Sequence, residues 1–197
     1  MVSVAGRPPR SSTALPTVPK MEELGEARGH IDATIESWAA LVPDLDVDTM
    51  RTALLLGRAT TLGRKHVEVA FASCGLSAGE FDVLASLLHA PDHTSKPSVL
   101  ARTGMLSSAG MTHRLDLLEQ AGYLERRPDP GDRRSTLAVL TEAGKVKAIE
   151  AAKAHVAAEQ ELLNVLSKAD RAELTRLLET LLDVYAAYGD GAADAPG

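Results

Sequence analysis

Residues 95–145 constrain this chain more than any other part of it. Pro97 opens a short apolar stretch, Val99-Leu100-Ala101, with Ser95 as its cap and Gly104 as its end. A second stretch is capped by Ser107, carries Met111, Leu115 and Leu118 at helical spacing, and runs to Gln120 with Gly122 as its stop. Two arms at 124–127 and 135–140 then flank the turn Pro128-Asp129-Pro130-Gly131-Asp132-Arg133-Arg134. Thr136, Leu137 and Val139 supply strand propensity, and the Pro and Gly residues supply the turn. Helix, tight turn, helix, hairpin is the outline of a winged helix-turn-helix, which lays its second helix in the major groove of DNA. The expected fold class is mainly α with a small β-hairpin wing.

Helices account for most of the remainder. Residues 1–20 hold four prolines and no periodicity, and are expected to be a disordered arm. A first helix over 22–41 places Ile31, Ile35 and Trp38 on one face, and Pro43 closes it. A long helix over 48–74 can be capped by Asp46 or Asp48 and ended by Gly75. Leu54, Leu55, Leu56 and Leu62 make it apolar on more than one side, which predicts burial between other helices. Ser77-Ala78-Gly79-Glu80 is a capping box, and Phe81, Leu84, Leu87 and Leu88 follow as a core face until Pro91-Asp92-His93 breaks the helix. Thr141 caps a helix to about 166, and Ser167 caps another to about 188, beyond which the end is expected to fray. The expected organisation is an arm at 1–20, N-terminal helices at 21–76, the winged helix-turn-helix at 77–141, C-terminal helices at 142–188 and a flexible tail at 189–197.

Composition narrows the function classes. At 197 residues, with 45% hydrophobic and 24% charged residues, the chain can bury a real core. The net charge of -6 runs against a nucleic-acid binder, so any DNA contact has to come from a local basic patch. A single cysteine, Cys74, excludes an internal disulfide framework and fits a reducing cytoplasm. No apolar run is long enough for a membrane span, and the first twenty residues lack the apolar core of a secretory signal. The expected location is cytoplasmic, with no membrane partner.

The candidate DNA contacts are Ser107, Ser108, Thr112, His113 and Arg114 on the second helix, and Arg133 and Arg134 on the wing. Short polar residues at a helix start let backbone amides approach a phosphate. Arginines on a narrow hairpin fit the negative potential of a minor groove, and Asp132 can orient Arg134 through a bidentate contact. Each piece has a plainer reading, as a surface helix with a serine cap or as a solvated charge run. The pieces in this order are much more specific than any one of them.

Here the chain resembles the MarR family of winged-helix regulators. The residues that carry the resemblance are Ser107-Ser108-Ala109-Gly110-Met111-Thr112-His113-Arg114-Leu115, Leu118-Glu119-Gln120-Ala121-Gly122-Tyr123-Leu124-Glu125-Arg126, the wing Asp132-Arg133-Arg134, and Leu140-Thr141-Glu142-Ala143-Gly144. The likeness covers roughly residues 38–185. It implies a homodimer built from N- and C-terminal helices that binds a double-stranded DNA operator and represses genes until a small ligand binds.

Upstream, Trp38 followed by Pro43-Asp44-Leu45-Asp46 resembles the branch of that family that answers urate and phenolic compounds and carries an added N-terminal helix. The branch implies a site for a small anionic aromatic effector, whose matching positions here are Trp38, Asp82, Arg114 and Arg126. The arginine-glutamate pair usual before the proline is replaced by Leu41-Val42. The physics is coherent, since a ring stacks on indole while a guanidinium meets an anionic oxygen. In the plainer reading Trp38 is core, Asp82 a cap or ion-pair partner, and both arginines bind phosphate.

Other chemistry is weak. His89 and His93 stand four apart, but Pro91 lies between them, so no metal site is expected. Cys74 near Lys65 and His66 can be read as a redox sensor, although simple packing explains it better. There is no strained nucleophile turn and no Gly-rich phosphate loop, so neither an enzyme nor a cofactor is expected. The rival reading is a winged-helix interaction module that does not bind specific DNA.

Overall fold

The computed structural model describes residues 21–103 and 108–192, with side chains described for 28–102, 109–132 and 135–184. The expectations for 1–20, for the turn Gly104-Met105-Leu106 and the cap Ser107, and for the extreme C-terminus lie outside these residues. Helices α1 (Met21–Leu41), α2 (Val47–Ser73) and α3 (Ala78–His89) lead to a short 3-10 turn at Pro91–His93. Then come β1 (Thr94–Ser95), α4 (Pro97–Thr103), α5 (Ser108–Gln120), the hairpin β2 (Leu124–Asp129) and β3 (Asp132–Leu140), α6 (Glu142–Leu163) and α7 (Lys168–Ala192).

Local chemistry places most boundaries. Asp46 caps α2, its carboxylate accepting the Thr49 amide at 3.0 Å and the Thr49 hydroxyl at 2.6 Å. Gly75 ends α2 and Gly122 ends α5, both left-handed with φ of 72° and 74°, a conformation that glycine adopts without strain. The capping box of α3 forms: the Ser77 hydroxyl accepts the Glu80 amide at 3.3 Å, and the Glu80 carboxylate accepts the Ser77 amide at 2.7 Å. α7 continues to Ala192, past the expected end near 188.

The sheet departs from expectation in two ways. It has three strands, in the order β1-β3-β2, because Thr94 and Ser95 pair antiparallel with Val139 and Ala138 of β3. Ser95, expected as a helix cap, is therefore a strand residue. The hairpin is also longer than expected, so only Pro130 and Gly131 connect the strands. Arg133 and Arg134 lie within β3 rather than in the turn. The turn tightens because the Asp129 carboxylate accepts the Gly131 amide at 2.8 Å.

Chain contacts divide the protein into two units, Met1–Ala158 and Glu159–Gly197. The core of the first is filled by Leu84 and Leu87 of α3, Met111, Leu115 and Leu118 of α5 and Leu124 of β2, all fully buried. Phe71 of α2 and Ala148 and Ala151 of α6 join the same core. The reading head thus shares its core with α2 and α6. Burying a leucine of this kind contributes about 2 kcal/mol.

The expected burial of α2 between other helices does not hold, and α1 is covered only in part. Ile31 and Ile35 of α1 are buried, but Trp38 at the same helix's end is 47% exposed. Leu54, Leu55 and Leu56 of α2 are exposed too, because α1 covers only part of a helix that is apolar on several sides. In the second unit, Leu174, Leu177, Leu178, Leu181 and Leu182 form an exposed stripe at helical spacing along α7. Among the described residues no single helix is long and apolar enough to cross a membrane.

Candidate nucleic-acid interface and ligand site

α5 is held by its buried Met111, Leu115 and Leu118 against α3 and α4, which leaves Thr112 and His113 exposed on the opposite side. Ser108 is the first residue of this helix. The exposed Arg102 in the last turn of α4 adds a cation to the same helix-turn-helix, and the sequence reading did not single it out.

Arg114 does not join Thr112 and His113. Its guanidinium lies on the first turn of α3 at Gly79, so closely that a Cβ at position 79 would overlap it. Nη1 is buried and has no hydrogen-bond partner among the described residues. The missing side chain at Gly79 opens a slot for the guanidinium, and the charge of Asp82 faces it. Burial pushes the Asp82 carboxyl above its ordinary value, partly offset by the positive charge of Arg114 and then by His155. Phe71, Phe81 and His155 form an aromatic cluster next to Asp82, with Phe71 and Phe81 stacked at 4.6 Å and His155 at 5.1 and 5.8 Å from them.

Of the four expected ligand residues, Asp82 and Arg114 therefore come together. Trp38 makes no ring contact with another aromatic residue among those described. Arg126 is already engaged: it donates to Glu119 at 2.7 Å and to Asp116 at 2.6 Å, and its amide donates to Glu119 at 3.1 Å. Two carboxylates neutralise it, so it does not present a free cation to an anionic ligand and instead ties the end of α5 to β2. His89 closes α3, and His93 lies beyond the break with its Nδ1 2.9 Å from the Leu88 carbonyl. At Cys74 it is the carbonyl that accepts from Lys147, at 3.2 Å.

The wing has an anchor that sequence reasoning missed. Asp129, read only as a turn residue, is a buried carboxylate whose side chain is 9% exposed. Lys96 meets it at 2.8 Å, the Gly131 amide at 2.8 Å and the Ser135 hydroxyl at 3.0 Å. Led by Lys96, these donors hold Asp129 at about 2. Its pKa is depressed on folding, so its stabilising effect is complete above the ordinary 3.8 and is lost as pH falls towards about 2. In thermal melts across that window, the difference between wild type and Asp129→Asn should shrink as pH drops. A constant difference would show that the charge of Asp129 does not matter.

The family model described as MarR family matches residues 76–136, from the start of α3 into β3. The HTH-type transcriptional regulator PecS of Dickeya dadantii is 36% identical over 146 residues, covering 73% of this chain and 87% of that relative. The chain belongs to the MarR family. AbsC, a MarR family transcriptional regulator from Streptomyces coelicolor, has a crystal structure similar to this fold, with a TM-score of 0.60, 25% identity and coverage of 71% of this chain and 96% of AbsC. The crystal structure of a mutant MarR from E. coli complexed with operator DNA is similar at a TM-score of 0.58 and 25% identity, covering 71% of this chain and 99% of that one. Like the other MarR-family regulators, this protein is a DNA-binding transcriptional regulator, a role without catalysis. The matched segment of this MarR-family chain contains Gly79, Asp82, Arg114 and Asp129. A glycine inside a capping box was the one sequence signal for the Arg114 slot, because it gives up helix propensity at an early helical position.

Proposed function

We propose that this MarR-family regulator is a cytoplasmic homodimeric repressor, released from a pseudo-palindromic operator by a small anionic aromatic or phenolic ligand. The observation that carries this reading is Arg114: a recognition-helix cation turned inward, with a buried donor that no described residue accepts. An unbonded buried donor costs about 1–3 kcal/mol, which an anionic ligand oxygen would recover. Asp82 faces the same guanidinium and reports ligand charge, while Trp38, half-exposed on α1, supplies a stacking surface. A ligand bound there fixes α5 against α3, so ligand and operator affinities are reciprocally coupled.

Operator contact in this reading comes from Ser107, Ser108, Thr112 and His113 in the major groove and from Arg133 and Arg134 at the wing. The exposed apolar residues of α2 and α7 support a dimer, as do Val146, Ile149 and Val156 of α6. Half-sites about one helical turn apart, roughly 34 Å, are expected. Sedimentation should show a dimer, and Leu178→Asp with Leu181→Asp should abolish both dimer and operator binding. Titrating urate, xanthine and salicylate into the operator complex should quench Trp38, the chain's one tryptophan, and release the DNA. Release that proceeds equally well from Trp38→Ala would remove Trp38 from the site. A stable monomer with full operator affinity would overturn the dimeric reading.

A further inference from the structure

Lys96 stands between β1 and α4, where a lysine of a helix-turn-helix would ordinarily be assigned to a DNA phosphate. The structure gives it another partner. Its ammonium is 2.8 Å from the buried carboxylate of Asp129, the last residue of β2. The second Asp129 oxygen takes the Gly131 amide, and Ser135 of β3 donates its hydroxyl to the oxygen that meets Lys96. Pairing in the hairpin slips at this point, where Asp129 stands opposite Asp132 after a bulge at Pro128 and Asp129. A bulge re-aims the end of a strand, and without a tether the end of the hairpin pivots about it. The lysine-carboxylate pair is that tether, joining the hairpin to the segment that enters α4.

We propose that Lys96 and Asp129 are positioning residues for DNA recognition: the pair fixes the wing relative to the helix-turn-helix, so that wing and recognition helix engage one operator together. The proposal rests on the DNA-binding reading. Neither side chain need touch DNA. Asp129 acts although its charge is of the wrong sign for a phosphate, and Lys96 acts although its own charge is already paired.

The sign of the charge makes the test decisive. Asp129→Asn removes a negative charge from a DNA-binding head and keeps the side chain's shape. Electrostatics alone predicts tighter binding and a steeper salt dependence. Positioning predicts the reverse: operator affinity weaker on the order of tenfold, the loss of one or two good groove contacts. The probe is a duplex selected by the wild-type protein from a random library, followed by hydroxyl-radical footprinting and a salt titration, with sedimentation and circular dichroism confirming the folded state. In Asp129→Asn and in Lys96→Met, protection by the wing should be lost while protection of the major groove persists. Lys96→Arg should restore much of it. The double variant should lose no more than either single one, because both act through one contact.

If Asp129→Asn fails to fold, Lys96→Met at the half-exposed end of the pair decides the matter with the same footprint. Binding by Asp129→Asn as tight as wild type or tighter overturns the proposal. So does a Lys96→Met protein that keeps the full footprint and loses only about one ion from the salt slope, which is the signature of a phosphate contact. Wild-type protein that selects no duplex at all would instead overturn the DNA-binding reading itself.

Discussion

Replacing Gly144 with alanine should destabilise this protein by about 3 kcal/mol, although helix propensity alone favours alanine by about 1 kcal/mol. Gly144 sits in the first turn of α6, and a Cβ there would overlap the carbonyl oxygen of Tyr123 and come within 2.7 Å of Leu140 Cδ1. The carbonyl cannot withdraw, because it accepts the Thr141 amide at 3.1 Å. Thr141 is tied in turn: its hydroxyl donates to the Gly122 carbonyl at 2.8 Å and accepts the Gly144 amide at 3.0 Å. The start of α6 is thereby clamped onto the turn that ends the recognition helix, and an added methyl has to pry the two apart. In thermal melts at equal concentration, Gly144→Ala should lower Tm by about 10 °C. Gly29→Ala is the control: on α1 a Cβ meets nothing within 4 Å, so propensity acts unopposed and should stabilise by about 1 kcal/mol. A Gly144→Ala protein as stable as wild type would mean that the start of α6 yields at the clamp without cost.

What could be read from the sequence follows from the range of the forces involved. The Ser77 and Glu80 capping box, the stops at Gly75 and Gly122 and the stripe Met111, Leu115 and Leu118 are set by neighbours within one or two helical turns, and all appear as expected. β1 was not legible, because two residues carry no periodicity and their strand character comes from pairing with β3, more than forty positions later. Asp129 was legible as a turn residue, but its burial depends on Lys96, which is remote in sequence. The direction of Arg114 was legible even less. Helical spacing places it beside Thr112 and His113, and a glycine on another helix turns its guanidinium inward. The exposure of the α2 leucines was not legible for the opposite reason, since their pattern reports apolarity on several sides and not what packs against each.

The inward course of Arg114 has an unusual energetic consequence. Arg114→Met keeps the length of the side chain and removes a positive charge whose buried Nη1 bonds to none of the described residues. Replacing a poorly satisfied buried charge by an apolar side chain is often neutral or stabilising. Against this stands the lost attraction to Asp82, whose carboxyl burial already pushes up and which would then rise further. With Arg114 only part-buried the balance is small, and Tm should stay the same or rise. Effector binding should respond the other way. Losing one hydrogen bond between charged groups costs about 2 kcal/mol, so the anionic aromatic should bind roughly 30-fold more weakly and release of operator should fail at concentrations that empty the wild type. Operator affinity without ligand and its salt slope should match wild type, because the guanidinium packs on α3 at Gly79. Asp82 supplies an independent check. An anion bound beside it raises its pKa again, so binding takes up a proton and tightens as pH falls through the raised Asp82 titration, above the ordinary carboxylate range. Asp82→Asn should abolish that trend while leaving release at neutral pH intact. A Tm several degrees lower in Arg114→Met would show that the guanidinium is a structural contact. A salt slope reduced by about one would show that it reaches a phosphate after all. Unchanged release would place the effector elsewhere in the protein.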